Sequence, residues 1–143
     1  MLLGIDPRVP PRLLDCLMRM GHGDEIVIAD ANFPSASTAL CPPIEMTGSN
    51  AVEVADMICA LMPLDGLSEA AAYRMEIDGA PEEMGDVHTE VFAVLNAAKP
   101  EGALLSSLER PAFYPRAAKA FAVVQSAEPR PFGCFILRKG VIF

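Results

Sequence analysis

The segment Glu25–Ala29 constrains the fold of this 143-residue chain more than any other feature. Its last four residues, Ile26 to Ala29, are all apolar; two glycines and an acidic residue precede the segment, and Asp30 follows it. A short continuous apolar run of this kind is typical of a strand that is buried on both faces, as in the interior of a parallel sheet. Because helices cover parallel sheets, the segment favours an α/β fold.

Helical and strand patterns alternate along the rest of the chain. Helices are predicted to begin after Pro10-Pro11, at a capping box of Asn50 and Glu53, at Val87 and at Pro115. The first is expected to stop at Gly21, the second at Pro63 and the third at Lys99. Strands are predicted over 71–77, 103–108, 121–125 and 134–138, whereas 31–48 is predicted to be a long loop. The alternation predicts one domain spanning residues 1–143, with a mixed, helix-covered sheet.

The bulk composition narrows the class of protein. Hydrophobic residues make up 52% of the chain, more than a small domain hides alone, which favours contact with a partner subunit. The formal charge of −8 would repel nucleic acid and anionic membranes. No apolar stretch reaches the ~18 residues of a membrane span, and the N-terminal segment lacks the pattern of a secretory signal. We therefore expect a cytoplasmic protein.

Four cysteines are spread widely along the sequence, at positions 16, 41, 59 and 134. They form no CxxC pair and no cluster with histidine, which argues against a structural zinc site and against a disulfide framework. We therefore predict that all four are buried free thiols.

Two residues around the predicted strand are candidates for chemistry. Asp30 follows the strand, and the carboxyl ends of strands are where α/β sheets bind ligands; the alternative is a loop aspartate that bonds the backbone of Asn32. His22 lies between two glycines that leave its ring accessible, and imidazole exchanges protons near neutral pH. Its alternative role is to cap the preceding helix. His88, in a polar helix start, is predicted to lie at the surface.

The C-terminal third carries the remaining candidates. Arg110 is most simply a surface ion, and Phe113 and Tyr114 are typical of a core or an interface. Residues 130–133 are predicted to form a turn between two strands, where backbone groups could meet a ligand. The chain contains no dinucleotide fingerprint, P-loop, GxSxG elbow or HExxH motif.

Three blocks together resemble one family: MGHGDEIVIADANFP (20–34), ERPAFYPRAAKAFAVV (109–124) and PFGCFILRKGV (131–141). They are similar to the L-fucose mutarotase and D-ribose pyranase family, and closer to its fucose branch. The resemblance extends over nearly the whole chain and is loose between 63 and 105. It implies a three-layer α/β/α fold with a mostly parallel sheet, ring-shaped homo-oligomers that are typically decamers, and cofactor-free interconversion of sugar anomers.

The resemblance also implies roles for individual residues. His22 matches the family's catalytic histidine, a proton donor, while Asp30 and Arg110 match its sugar-binding aspartate and arginine. Residues Phe132, Gly133 and Cys134 match a sugar-contacting Tyr-Gly-Asn triplet and depart from it, because a phenolic hydroxyl and a carboxamide are lost. Each hydrogen bond between such a group and a sugar hydroxyl contributes roughly 1 kcal/mol to binding. Because two of these groups are missing, we expect an active site with shifted specificity.

Exchange of anomers needs a proton taken from the anomeric hydroxyl and a proton given to the ring oxygen. General acid–base catalysis, typically worth ~10²–10⁴-fold, is enough, and no metal or redox cofactor is called for. The hypothesis is that His22 exchanges the proton while Asp30 and Arg110 hold the hydroxyls of a monosaccharide. The alternatives are a sugar-binding protein that has lost catalysis and a pyranase that interconverts pyranose and furanose forms.

Overall fold

Helices and strands alternate along the chain, and the computed structural model describes all of residues 1–143. The helices are α1 (Pro11–Arg19), α2 (Ser35–Thr38), α3 (Ala51–Cys59), α4 (Asp86–Ala98) and α5 (Arg110–Lys119). The strands are β1 (Glu25–Ala29), β2 (Ile44–Met46), β3 (Ala72–Met75), β4 (Leu105–Leu108), β5 (Ala122–Ser126) and β6 (Phe135–Arg138). They form one sheet in the order β2-β5-β1-β6-β3-β4, in which only β6 is antiparallel to its neighbours. The predicted α/β fold with a mostly parallel sheet is confirmed.

The strand β1 lies near the middle of the sheet, between β5 and β6. Its four apolar residues are fully buried, as predicted. Ile26 and Ile28 pack into a core with α1, α3 and α4, while Val27 and Ala29 pack on the opposite face with α5. Since a strand points alternate side chains to opposite faces, β1 joins two separate cores and the fold has three layers.

The predicted loop over 31–48 contains two short elements, so that prediction is wrong in part. The helix α2 has a single turn, and β2 adds a three-residue strand to the sheet edge through the parallel pairing of Ile44 with Val124. Neither element is long enough to show a periodic pattern. The strand β2 forms because β5 offers it a partner, which is tertiary information.

The start of α5 also differs from the prediction. The helix begins at Arg110, with Pro111 in its first turn, so Pro115 lies inside the helix. Proline suits a first turn, where its missing N–H has no helical partner. At the later position the ring leaves the carbonyl of Pro111 without its usual helical donor.

The other predicted boundaries agree with the structure to within a few residues. The side chain of Asn50 accepts from the Glu53 N–H at 3.0 Å, and Glu53 accepts from the Asn50 N–H at 3.0 Å, so the capping box is confirmed. The helix that it opens ends at Cys59 rather than at Pro63. No helix of the protein is long and apolar enough to cross a bilayer.

The cysteines are all free, but they are not all buried. Cys16 and Cys134 are buried and Cys59 is half-buried, whereas Cys41 is exposed in the loop between α2 and β2. The prediction of buried thiols is therefore wrong for Cys41. That loop follows the end of a one-turn helix, and connecting loops generally run over the protein surface.

Candidate functional site

A pocket of about 160 Å³ lies at the carboxyl ends of β1 and β3, beside the first turn of α5. Its lining combines polar and apolar side chains: Asp30, Asn32, Phe33, Met75, Arg110, Tyr114, Pro131, Phe132 and Cys134. Four of the six residues predicted for the site therefore meet here, although they are spread over a hundred positions of sequence. The pocket is smaller than the roughly 300–1,000 Å³ of a drug-sized site, as suits a small ligand or a site that needs a further wall.

Asp30 is the buried anion of this pocket, with 6% of its surface exposed. Its Oδ1 accepts a hydrogen bond from the backbone N–H of Asn32 at 2.9 Å. The turn role considered for this residue is thus observed, and it coexists with a place in the pocket lining. The carbonyl of Asp30 accepts from Gln125 Nε2 at 2.6 Å, which ties the end of β1 to β5. The carboxylate is held in place before any ligand arrives.

Arg110 is the cation of the pocket, and it is the first residue of α5. Its guanidinium Nε lies 2.8 Å from one carboxylate oxygen of Asp78, and this pairing raises the Arg110 pKa, with a smaller contribution from Tyr114. Tyr114 stacks on Phe33, with ring centroids 5.4 Å apart and planes 9° apart. One wall of the pocket is therefore an aromatic stack with an arginine beside it.

The segment between β5 and β6 forms another wall of the pocket, and an ion pair with a buried carboxylate holds it. Glu128 is fully buried, and its two carboxylate oxygens accept from Arg130 Nε at 2.6 Å and Nη2 at 3.0 Å. Burial alone would raise the Glu128 pKa, but the hydrogen bonds from Arg130 and from the Ala51 N–H outweigh it and lower the pKa. The predicted turn over 130–133 is confirmed.

Phe132 and Gly133 take up special conformations in this wall. Phe132 has a φ of 58°, the single positive value among the non-glycine residues, and its carbonyl accepts a hydrogen bond from His88 Nε2 at 2.9 Å. A Cβ on Gly133 would lie 2.8 Å from Glu128 Cγ and 3.1 Å from the Arg130 carbonyl oxygen. Gly133 does not line the pocket itself, but its lack of a side chain lets the wall pack.

His88 is fully buried, so the prediction that it lies at the surface is wrong. It is the third residue of α4, and its Nδ1 accepts from the N–H of the capping residue Gly85 at 3.1 Å. An N–H on Nε2 and a lone pair on Nδ1 identify the ring as neutral. Burial lowers the His88 pKa, which agrees with that state. The polar residues around His88 indicate a surface position. The hydrogen-bond partner that buries the ring, Phe132, lies 44 residues further along the chain and has no local signal.

Cys134 is a buried residue of the pocket lining, and its Sγ accepts from the Asp30 N–H at 3.4 Å. Burial raises the pKa of the Cys134 thiol, and the nearby Asp30 carboxylate raises it further. The thiol therefore keeps its proton at neutral pH and is not a nucleophile. In this position it offers a sugar hydroxyl only a weak donor and acceptor.

His22 does not lie in this pocket. It precedes β1, whereas Asp30 follows β1, so the five-residue strand separates them by roughly 16 Å at 3.3 Å per residue. The interpretation that the two residues flank one pocket is therefore wrong within a single copy of the chain. The capping role for His22 is not observed either, because Lys139 Nζ donates to the carbonyls of Leu17, in the last turn of α1, and of Met20, which follows it, at 2.7 and 2.6 Å. Instead, His22 Nε2 lies 3.2 Å from Asp65 Oδ1.

Sequence reasoning missed three polar residues of the site region. Asn32 and Tyr114 line the pocket, and Asp65 contacts His22. The resemblance block that contains Tyr114 was a usable signal for that residue. Asp65 stands alone in a loop between α3 and β3 and carries no local pattern that could have found it.

Comparison with known proteins places this geometry in a family. The model of the RbsD / FucU transport protein family matches residues 3–142. Fucose mutarotase of Homo sapiens is 42% identical over 99% of this chain and 94% of its own, and L-fucose mutarotase of Haemophilus influenzae is 38% identical over 99% and 97%. Both relatives match over almost their full length.

Solved structures agree with the sequence relatives. The fucose mutarotase of Streptococcus pneumoniae, solved in complex with L-fucose, superposes with a TM-score of 0.90 at 36% identity and covers 99% of this chain and 100% of its own. Bacillus subtilis RbsD, solved with D-ribose, shares the fold at a TM-score of 0.72 and 23% identity, over 94% and 95% of the two chains. From its sequence, its sheet topology and these matches, the chain belongs to the RbsD/FucU family.

Proposed function

We propose that this protein is a mutarotase, an isomerase that interconverts the α and β anomers of L-fucose or a closely related monosaccharide. The observation that carries the proposal is the full-length likeness to fucose mutarotases, one of them solved with L-fucose. The pocket supports it, because an anion and a cation, Asp30 and Arg110, meet there beside an aromatic wall. Charged groups of both kinds bind the donors and acceptors of sugar hydroxyls, and an aromatic wall packs against the ring's C–H face.

The reaction asks little of the protein beyond positioned proton donors and acceptors. A base takes the proton of the anomeric hydroxyl as an acid protonates the ring oxygen, the ring opens to the aldehyde, and reclosure on the other face returns both protons. In this proposal Asp30 and Arg110 orient the hydroxyls, and His22 exchanges the proton. Phe132 and Cys134 supply neither a phenol nor an amide, so Tyr114 is the phenol that remains in the pocket.

The distance between His22 and the pocket leads to a second part of the proposal. The side chain of His22 is 45% exposed at the opposite end of β1, so it is free to enter the pocket of a neighbouring copy. We propose that the site is completed between two copies of the chain in a homo-oligomer, of which a decameric ring is the form that the family resemblance implies. The small, open pocket of one copy and the exposed apolar residues Leu2, Met18 and Ile142 support such an assembly.

A mixing experiment tests both parts. Exchange between the L-fucose anomers is followed by saturation-transfer NMR with the wild-type protein, with His22→Ala and with Asp30→Asn. We expect acceleration by the wild type and little by either variant. If two copies share each site, co-expressing the variants with different tags restores about a quarter of the sites, since chance pairing makes about one in four complete. No recovery in a mixed oligomer would refute the shared site, and a wild type without acceleration would refute the mutarotase.

One observation favours a second candidate function. Phe132 and Cys134 both leave sugar hydroxyls without strong partners, as in a sugar-binding protein that has lost catalysis. L-fucose binding by calorimetry without acceleration of exchange would identify that function. A furanose signal that grows with D-ribose would identify a pyranase instead.

A further inference from the structure

The carboxylate of Asp65 is a buried charge that the pocket does not use. Its side chain is 1% exposed, and it lies at the amino end of β1, away from the pocket. Its backbone N–H donates to the Arg138 carbonyl at 3.0 Å, and the preceding residue, Leu64, pairs with Lys139. A side chain on Gly140 would collide with the Leu64 carbonyl, so the glycine allows this close approach. The end of β6 therefore holds Asp65 in place.

The same strand end holds His22. The Gly23 N–H donates to the Lys139 carbonyl at 2.9 Å, and the Lys139 N–H donates to the Asp24 carbonyl at 2.9 Å. Two segments that are 43 residues apart are thus fastened to one strand end, and their side chains meet there, with His22 Nε2 3.2 Å from Asp65 Oδ1. The contact between His22 and Asp65 is therefore held by the backbone on both sides, since each segment is hydrogen-bonded to the end of β6.

The other contacts of Asp65 keep its carboxylate charged and oriented. Oδ1 also accepts from the Leu67 N–H at 3.0 Å, and Oδ2 lies 3.3 Å from Arg138 Nε. Burial would raise the Asp65 pKa, but the Leu67 N–H, Ser68 and His22 together lower it below its usual value. An ionised carboxylate accepts hydrogen bonds and donates none, so the proton of the pair lies on His22 Nε2.

We propose that Asp65 is the positioning residue of His22, which selects the Nε2–H tautomer and leaves Nδ1 to exchange the proton with the sugar. The inference rests on the proposed function in that it assigns the working nitrogen of the proposed proton donor. A carboxylate that orients a histidine in this way also stabilises the imidazolium that forms when Nδ1 takes a proton. The hydrogen bond of the ring is made by Nε2, and almost half of the His22 side chain is exposed, which leaves Nδ1 available.

The variant Asp65→Asn tests the proposal. Asparagine keeps an oxygen for the Leu67 N–H, but it loses the charge. We expect the anomer-exchange rate at saturating L-fucose to fall roughly 10- to 100-fold, the range for a hydrogen bond to a charged group, while KM stays unchanged because Asp65 does not line the pocket. The matched control is Asp15→Asn, which removes an exposed carboxylate of α1 that pairs only with Arg19. It is expected to retain the wild-type rate.

A double-mutant cycle separates positioning from a general loss of structure. In the His22→Ala background, Asp65→Asn is expected to slow the residual exchange no further, because its effect passes through His22. An equal slowing in both backgrounds would mean that Asp65 acts through the fold alone and would overturn the proposal. An unchanged rate in the single variant would overturn it as well.

Nitrogen-15 NMR of the imidazole provides a readout that does not depend on activity. The chain has only two histidines, so His22→Ala assigns the His22 signals directly. We expect the Nε2–H tautomer in the wild type and a smaller fraction of it in Asp65→Asn, because the oxygen that stays beside Nε2 is then neutral and a weaker acceptor. If the wild type fails to accelerate exchange but shows this tautomer, the proposed function fails while the pairing of His22 with Asp65 stands. A Nδ1–H tautomer in the wild type would refute the pairing.

Discussion

Replacing His88 by leucine is the sharpest test of how the pocket wall is held. Leucine is similar in size to histidine, so the change removes two hydrogen bonds without opening a large cavity. One bond runs from Nε2 to the Phe132 carbonyl at 2.9 Å, and the other from the Gly85 N–H to Nδ1 at 3.1 Å. At about 1 kcal/mol net for each hydrogen bond, the free energy of unfolding should fall by about 2 kcal/mol.

That loss is large enough to measure by thermal unfolding. At roughly 3–5 °C per kcal/mol for a domain of this size, Tm should fall by about 6–10 °C. The assay is circular dichroism at pH 7.5 and equal protein concentration, since assembly links Tm to concentration. The matched control is Thr89→Ala, at the exposed next position of α4, where a change within ±0.5 kcal/mol is typical, so Tm should move by less than about 2 °C.

The variant should also change sugar binding. The left-handed conformation of Phe132 costs on the order of 1–3 kcal/mol and persists only where neighbours hold it. Without its bond to His88, the Phe132 backbone is free to relax and to reshape the pocket wall. We expect KM for L-fucose to rise severalfold. A Tm for His88→Leu within 2 °C of the wild type, with an unchanged KM, would refute this account of the wall.

Two further predictions concern the same wall. Burial lowers the His88 pKa. As the pH falls through about 6.5, this imidazole therefore becomes protonated in the unfolded chain while it stays neutral in the folded chain. The stability contributed by the neutral ring is therefore complete above about pH 6.5 and is lost as the pH falls below that value. The difference in Tm between the wild type and His88→Leu should narrow from pH 7.5 to pH 5.5. A constant difference would contradict this. In Gly133→Ala the new Cβ would lie 2.8 Å from Glu128 Cγ, and such overpacking costs about 1–3 kcal/mol of stability. We therefore expect a lower Tm and a higher KM than in the control Gly48→Ala, where a Cβ meets nothing within 4 Å.

Much of the fold was predictable because its signals are local. The apolar run that forms β1 and the Asn50–Glu53 capping box each depend on residues within five positions of each other, and both are confirmed. Elements that depend on a distant partner were missed. The strand β2 exists through its pairing with β5, and α5 begins five residues before the proline that suggested its start.

For the candidate site, the sequence by itself determined which residue types are present and, through the family resemblance, which positions to examine. The prediction that Asp30, Arg110, Phe132 and Cys134 share a site agrees with one pocket, because the carboxyl ends of parallel strands meet at one edge of the sheet. The roles assigned to these residues stay predictions until the variants are measured.

Only the tertiary structure decided where His22 and His88 lie. Both look alike in the sequence, as histidines near glycine in polar surroundings. One is fully buried against Phe132, and the other is half-exposed against Asp65, about one strand length from the pocket. The long-range hydrogen-bond partner of each ring, Phe132 or Asp65, lies more than 40 residues away along the chain. Local sequence patterns carry no information about such contacts, because strand order and loop packing arise from the chain as a whole.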